Sequence, residues 1–223
     1  MTIVKICGVT TIDDALRAAE AGADMLGLNF YKPSPRYLEP DTAREIAAAL
    51  RAQLGAACPL LVGIFVNEVV GRVSHTMEIV GLNFAQLSGE ESGEMLREMR
   101  GVAFKGIRPR TRAEALEDAA YFLNAQSVDE RAPSLLLDAH HPTLYGGTGE
   151  QASVEVALAV KAQVPRLMLA GGLTPDNVAQ SVRQVQPWGV DVASGVEVDS
   201  QSGRKDAAKM RDFIAAVRAE SKV

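Results

Sequence analysis

Short apolar runs rich in Val, Ile, Leu and Phe recur along the chain, and between them the apolar positions fall three and four residues apart. The runs predict strands at Ile3 to Cys7, Met25 to Phe30, Leu60 to Val66, Asn83 to Leu87, Val102 to Ile107, Leu135 to Asp138, Leu167 to Ala170 and Gly189 to Ala193. The intervening segments predict amphipathic helices. Ile12, Ala15, Leu16 and Ala19 follow the i, i+3, i+4, i+7 pattern, as do Ala43, Ile46, Ala47 and Leu50, and Ala207, Met210, Ile214 and Val217 give a last helix. Thr11 with Asp14 three residues later reads as a capping start, and Thr174-Pro175 as a helix entered through proline.

Strict alternation of strand and helix favours a parallel sheet, because each parallel pair needs a crossover and a helix supplies it. No Gly-x-Gly-x-x-Gly turn follows the first strand, and eight units in 223 residues suit closure into a ring. The expectation is an α/β chain forming one domain over residues 1–223, a (β/α)8 TIM barrel. Asn124 to Pro133 and Asp199 to Arg204 read as loops, and no segment reads as a linker.

Composition narrows the function. Net charge is −5 and aromatics are 5%, which argues against a basic, ring-lined groove for nucleic acid. Two cysteines, Cys7 and Cys58, are too few for a disulfide framework. Leu54 to Val66 is too short to cross a bilayer, and the N-terminus lacks a signal-peptide pattern, so a cytoplasmic protein with no membrane partner is expected.

In a barrel of this kind the chemistry sits where strands end. Alternation sends Val4 and Ile6 outward and Lys5 inward, and on the last strand Val190 and Val192 outward and Asp191 inward. Closure puts those strands side by side, so a Lys5–Asp191 ion pair is expected; a one-residue slip would put Lys5 in solvent instead. Cys7 then lies at the mouth. A lone cysteine is commonly packing material, whereas one near ammonium charge gains thiolate character and can act as a base. Cys58 keeps the packing role. Asp138 ends Leu135-Leu136-Leu137 and reads either as a loop cap or, partly desolvated, as a proton donor facing Cys7 across the mouth. Asp138-x-His140-His141 is too crowded to face one ion, so no metal is expected. Arg36, in a loop stiffened by Pro33 and Pro35, reads as a surface arginine or as a carboxylate clamp. Glycine-bearing turns follow the last three strands: Gly146-Gly147-Thr148-Gly149, Gly171-Gly172 and Ser194-Gly195. Glycine pairs after strands seven and eight suit a phosphate, and a small phosphorylated molecule is implied.

These residues fall in blocks spread over nearly the whole chain: Lys5 to Gly8, Pro35-Arg36-Tyr37, Gly63 to Asn67, Leu136 to Ala139, Gly146 to Gly149, Ala170 to Val178 and Val190 to Glu197. In that order they resemble the phosphoribosylanthranilate isomerases of tryptophan biosynthesis. The resemblance implies an Amadori rearrangement of N-(5-phosphoribosyl)anthranilate without cofactor, with Cys7 as general base and Asp138 as general acid. It further implies Arg36 against the anthranilate carboxylate, Asp191 lining the site, and Gly171, Gly172, Ser194 and Gly195 on the phosphate, with Lys5, Gly147 and Gly149 in support. The partner is then a small phosphosugar, and the chain a monomer or homodimer. Three places depart from the family pattern: Ser88 where His is usual, Ala193 where Ser is common, and Glu150-Gln151-Ala152 in place of an aromatic, acidic stretch.

Two other readings remain open. The isomerase of histidine biosynthesis performs a similar rearrangement, but its paired phosphate sites call for a second glycine cradle after strand four, where only Ser88-Gly89 stands. A non-catalytic barrel retained for binding would not need the Cys7 and Asp138 pair.

Overall fold

The computed structural model describes residues 1–138 and 149–220, with residues 149–153 described by backbone alone. Gly147, His140 and His141 lie outside the described residues, Gly149 is described only as the first residue of a helix, and the side chains of Glu150 to Ala152 are not described.

Eight parallel strands close into a barrel in sequence order. They are β1 (Ile3–Cys7), β2 (Met25–Asn29), β3 (Leu60–Phe65), β4 (Phe84–Leu87), β5 (Ala103–Ile107), β6 (Leu135–Asp138), β7 (Leu167–Ala170) and β8 (Gly189–Val192). Between and after them run α1 (Ile12–Glu20), α2 (Pro40–Leu54), α3 (Val70–Val80), α4 (Gly93–Glu98), α5 (Arg112–Leu123), α6 (Gly149–Lys161), α7 (Val178–Val185) and α8 (Ala207–Glu220). Phe30, Val66, Asn83, Val102 and Ala193 fall just outside the strands that periodicity assigned them to. Asn83 instead serves an edge: its side-chain oxygen accepts from the Leu61 N–H at 2.8 Å.

The period of two sorts the core into two clusters. Val4, Ile6, Leu26, Leu61, Val190 and Val192 face the helices. Met25, Val62, Phe84, Phe104, Leu136 and Met168 fill the barrel interior, the packed layers expected of such a ring. Ring closure pairs Lys5 with Asp191 in direct register, Ile3 with Gly189 and Ile6 with Val192.

Two helix starts differ from expectation. In α1 the Thr11 hydroxyl caps the Asp14 N–H at 3.1 Å, but Asp14 does not reach back. Its carboxylate accepts from Lys205 N at 3.1 Å and Arg204 Nε at 3.2 Å, so it is buried beside Ala15 and Ala18, while Ile12 stays 40% exposed. The buried stripe is rotated from the one that hydropathy draws because a carboxylate with tertiary partners outcompetes an isoleucine for the inner face. In α7, Pro175 lies in the turn before the helix, which begins at Val178. Asn177 closes that turn by accepting from Thr174 N at 2.8 Å and donating to Gly172 O at 2.9 Å. The predicted stripes of α2 and α8 are otherwise as expected, with Ala43, Ile46, Ala47, Leu50, Met210, Ile214 and Val217 buried.

Candidate active site at the carboxyl ends of the strands

One cavity of about 940 Å³ opens at the carboxyl ends of the strands, and its wall contains Cys7, Arg36, Asp138 and Asp191. Gly171, Gly172, Ser194 and Gly195 line it as well. Eight residues scattered over the sequence thus meet at one opening. Lys5 lies below them, fully buried, with Nζ 2.8 Å from Asp191 Oδ1. Burial alone would lower its pKa, but the charges of Asp191 and Cys7 and their hydrogen bonds outweigh that and leave it raised.

Cys7 ends β1 opposite Gly27 of β2, where a β-carbon would stand 2.8 Å from the Cys7 Sγ. The glycine therefore makes the room the thiol occupies. The expected thiolate character does not hold in the free protein: burial, then the Asp191 charge, push the thiol up, and the opposing charges of Lys5 and Lys205 do not compensate. The nearby ammonium groups are spent on carboxylates, Lys5 on Asp191 and Lys205 on Glu197.

Asp138 is 21% exposed at the end of β6 and is held by Arg108, whose Nε and Nη2 stand 2.9 and 2.7 Å from its Oδ2. Sequence reasoning missed Arg108, although the signal was present. Ile107 pairs with Leu137, so the next residues along β5 and β6 are Arg108 and Asp138. The counting that finds Lys5–Asp191 finds this pair too, once neighbouring strands are compared beyond their last ladder position.

Arg36 is not an open clamp. Its Nε and Nη2 grip Glu197 in a two-pronged pair at 2.6 and 2.8 Å, and that contact holds its pKa above the ordinary value. Glu197 also accepts from Lys205 Nζ and Gly203 N, both at 3.1 Å, and despite its burial the hydrogen bonds from Arg36 and the charge of Lys205 hold its carboxyl below the usual range. The loops after β1, β2 and β8 are tied together here: Gly203 sits against Pro35 and Thr10, and Lys205 Nζ donates to Ala193 O at 2.9 Å. The two Nη1 hydrogens of Arg36 are outside the Glu197 fork and Arg36 remains part of the cavity wall. Glu197 and Lys205 had no role in the sequence reading, since nothing local marks residues that far from Arg36 as its partners.

The glycine turns have the build a small anion requires. Gly171 and Gly172 both have left-handed φ, +97° and +64°, which side chains disfavour. Gly195 lies in a short 3-10 turn, Ser194–Val196, where a β-carbon would collide with the Leu173 carbonyl oxygen, so the loops after β7 and β8 touch backbone to backbone. After β4 the corresponding amides are already used. Gly89 N donates to Glu91 Oε2 at 2.8 Å and Glu90 N to Asn67 Oδ1 at 2.6 Å, and Glu91 is itself paired with buried Lys105 at 2.6 Å. The Gly89 and Glu90 amides are therefore not open to a second phosphate, which argues against the paired-site alternative. Cys58 is half-buried away from the cavity, and no cluster of potential metal ligands occurs among the described residues.

A closed barrel that gathers a thiol, a carboxyl group and glycine turns around one polar opening has the build of a (β/α)8 enzyme acting on a small anionic substrate. A family model described as N-(5'phosphoribosyl)anthranilate (PRA) isomerase matches residues 4–216, and the chain belongs to that family. It is 44% identical over 214 residues to N-(5'-phosphoribosyl)anthranilate isomerase of Trichlorobacter lovleyi, covering 96% of this chain and 97% of that protein. Phosphoribosyl anthranilate isomerase from Thermotoga maritima superposes with a TM-score of 0.83 at 33% identity, over 98% of this chain and all of that one. A structure of phosphoribosyl anthranilate isomerase in complex with reduced 1-(o-carboxyphenylamino)-1-deoxyribulose 5-phosphate matches at a TM-score of 0.80 and 32% identity, over 98% of this chain and 100% of that one. No helix among the described residues is long and apolar enough to cross a membrane.

Proposed function

We propose that the protein converts N-(5-phosphoribosyl)anthranilate to 1-(2-carboxyphenylamino)-1-deoxyribulose 5-phosphate, an Amadori rearrangement in tryptophan biosynthesis, with Asp138 as acid and Cys7 as base. The observation that carries the reading is the presence of both groups, from β1 and β6, in the wall of one cavity whose rim bears the glycine turns.

The chemistry is proton transfer throughout. Asp138 gives a proton to the ribose ring oxygen, the C1–O bond breaks, and the nitrogen lone pair forms an iminium. The Cys7 thiolate removes the C2 proton, and the electron pair released forms the C1=C2 bond of a neutral enolamine. Ketonisation returns a proton to C1 and frees the enol hydroxyl proton, which resets both groups. Arg108 stands against the carboxylate that remains once Asp138 has donated, and stabilises that charge. The phosphate sits against Gly171, Gly172, Ser194 and Gly195, and the Nη1 edge of Arg36 faces the anthranilate carboxylate. Lys5 holds Asp191 in place beneath the sugar.

Phosphoribosylanthranilate generated in situ tests this directly. Its fluorescence should fall with first-order dependence on added protein, and decay no faster than the protein-free control refutes the activity.

Arg36→Ala should raise KM about 10–100-fold, the effect of losing a charge-assisted contact, while kcat falls less. Steady-state kinetics with both parameters unchanged would discard Arg36 as a carboxylate contact.

A further inference from the structure

Three buried polar side-chain atoms among the described residues have no hydrogen-bond partner: Gln86 Oε1, Gln126 Oε1 and Ser134 Oγ. Of these residues only Gln86 belongs to the wall of the cavity. It stands on β4 with its side chain in the barrel, 6% exposed, above Phe84. Its Nε2 donates to Ser88 Oγ at 3.0 Å. Ser88 can take only one end of the amide, so the other end is unpartnered whichever way the amide is turned. Gly106 on the neighbouring strand keeps the space open, because a β-carbon there would lie 3.1 Å from Ser88 Oγ and 3.6 Å from Gln86 Nε2.

A buried amide with an unmade hydrogen bond destabilises the folded state, and an apolar side chain of the same shape would not. Such a group persists where a ligand completes it. We propose that the Gln86 amide, oriented by Ser88, receives a hydroxyl group of the sugar; this rests on the phosphosugar reading above. The chemistry selects a hydroxyl: donor and acceptor at once, it satisfies either end of the amide. The anionic ends of the substrate are served elsewhere, by glycine turns after β7 and β8 and by Arg36. With Cys7 on β1 and Asp138 on β6, Gln86 on β4 supplies the third side from which a sugar ring is located. Its contribution is positioning the C2 carbon against the Cys7 sulfur.

The test is Gln86→Met, which keeps the length of the side chain and removes its polar atoms. Ser88 is exposed, so water replaces the lost contact there. The expected result is a drop in kcat/KM of about 10–100-fold, the range for one buried hydrogen bond, together with a Tm higher by about 2–4 °C. Inhibition by inorganic phosphate should change less than about twofold, since that contact lies on β7 and β8. An unchanged kcat/KM overturns the proposal, and so does lost activity accompanied by a lower Tm, which marks a purely structural residue. Wild-type protein is assayed first. No turnover there strikes the proposed function itself, whereas active wild type with an equally active variant strikes only the role of Gln86. Should Gln86→Met fail to fold, Ser88→Ala decides the matter: freeing the amide should cost about 3–10-fold in kcat/KM, and full activity refutes the orientation by Ser88.

Discussion

Replacing Cys7 by Ala, or Asp138 by Asn, is expected to lower kcat by about 10²–10⁴-fold in each case, the usual worth of one positioned proton-transfer group. Each variant removes a distinct transfer, at the sugar C2 for the thiol and at the ring oxygen for the carboxyl, so neither group can take over for the other. Phosphate inhibition and the unfolding midpoint should stay near wild type. Asn keeps the shape of Asp138, and Ala at position 7 removes one atom from the mouth of the barrel. Full turnover by either variant in the fluorescence assay would remove the acid–base assignment. A pH dependence accompanies it. The active form of Cys7 is the thiolate, and burial followed by the Asp191 charge raises the thiol above its ordinary value of 9.0. Protons must leave for the thiolate to form, so the rate at which Cys7 of the free protein is alkylated should still be rising with pH as that value is reached. An alkylation rate that has levelled off below it would contradict the raised thiol.

Lys5→Met should destabilise the fold by about 3–5 kcal/mol, because it strands the Asp191 carboxylate, 10% exposed, beside an apolar side chain. In a chain of this size that is a fall in Tm of roughly 6–20 °C. The loss comes from the unpaired charge more than from the missing pair, so the double variant Lys5→Met, Asp191→Leu should recover much of the stability. Thermal unfolding of the three proteins checks this. An intact Tm in Lys5→Met would mean that water reaches Asp191 and that the pair is not a closed interior contact. Activity should fall in both variants, since Asp191 lines the cavity and its charge acts on Cys7.

Much of the architecture was legible in the chain because two periods of different length are hard to confuse over eight repeats. Val4 and Ile6 outward against Lys5 inward is a statement about alternation alone, and so is Asp191 between Val190 and Val192. Adding ring closure was enough to pair Lys5 with Asp191, and the ladder places them at the same level. Sites at strand ends were legible for the same reason: Cys7, Asp138, Gly171 and Gly195 are the residues at which strands stop or their turns begin. What failed was local inference about polar partners. Asp14 looked like half of a capping box and instead holds the loop before α8. Arg36 looked open and is gripped by Glu197, 161 residues away. The thiol looked activated by ammonium groups that turn out to be spent on carboxylates.

The amino-acid sequence by itself determined the barrel, the order of its strands, the inward and outward faces, and the set of residues available at the mouth, because all of these follow from periodicity and chain connectivity. Only the tertiary structure decided which charge neutralises which: Arg108 on Asp138, Arg36 and Lys205 on Glu197, Lys105 on Glu91, and a Gln86 amide left half satisfied. Ion pairs and hydrogen bonds depend on distances of a few ångströms between segments far apart in the chain, and on how deeply each pair is taken out of water. Neither quantity is encoded in any short stretch of residues.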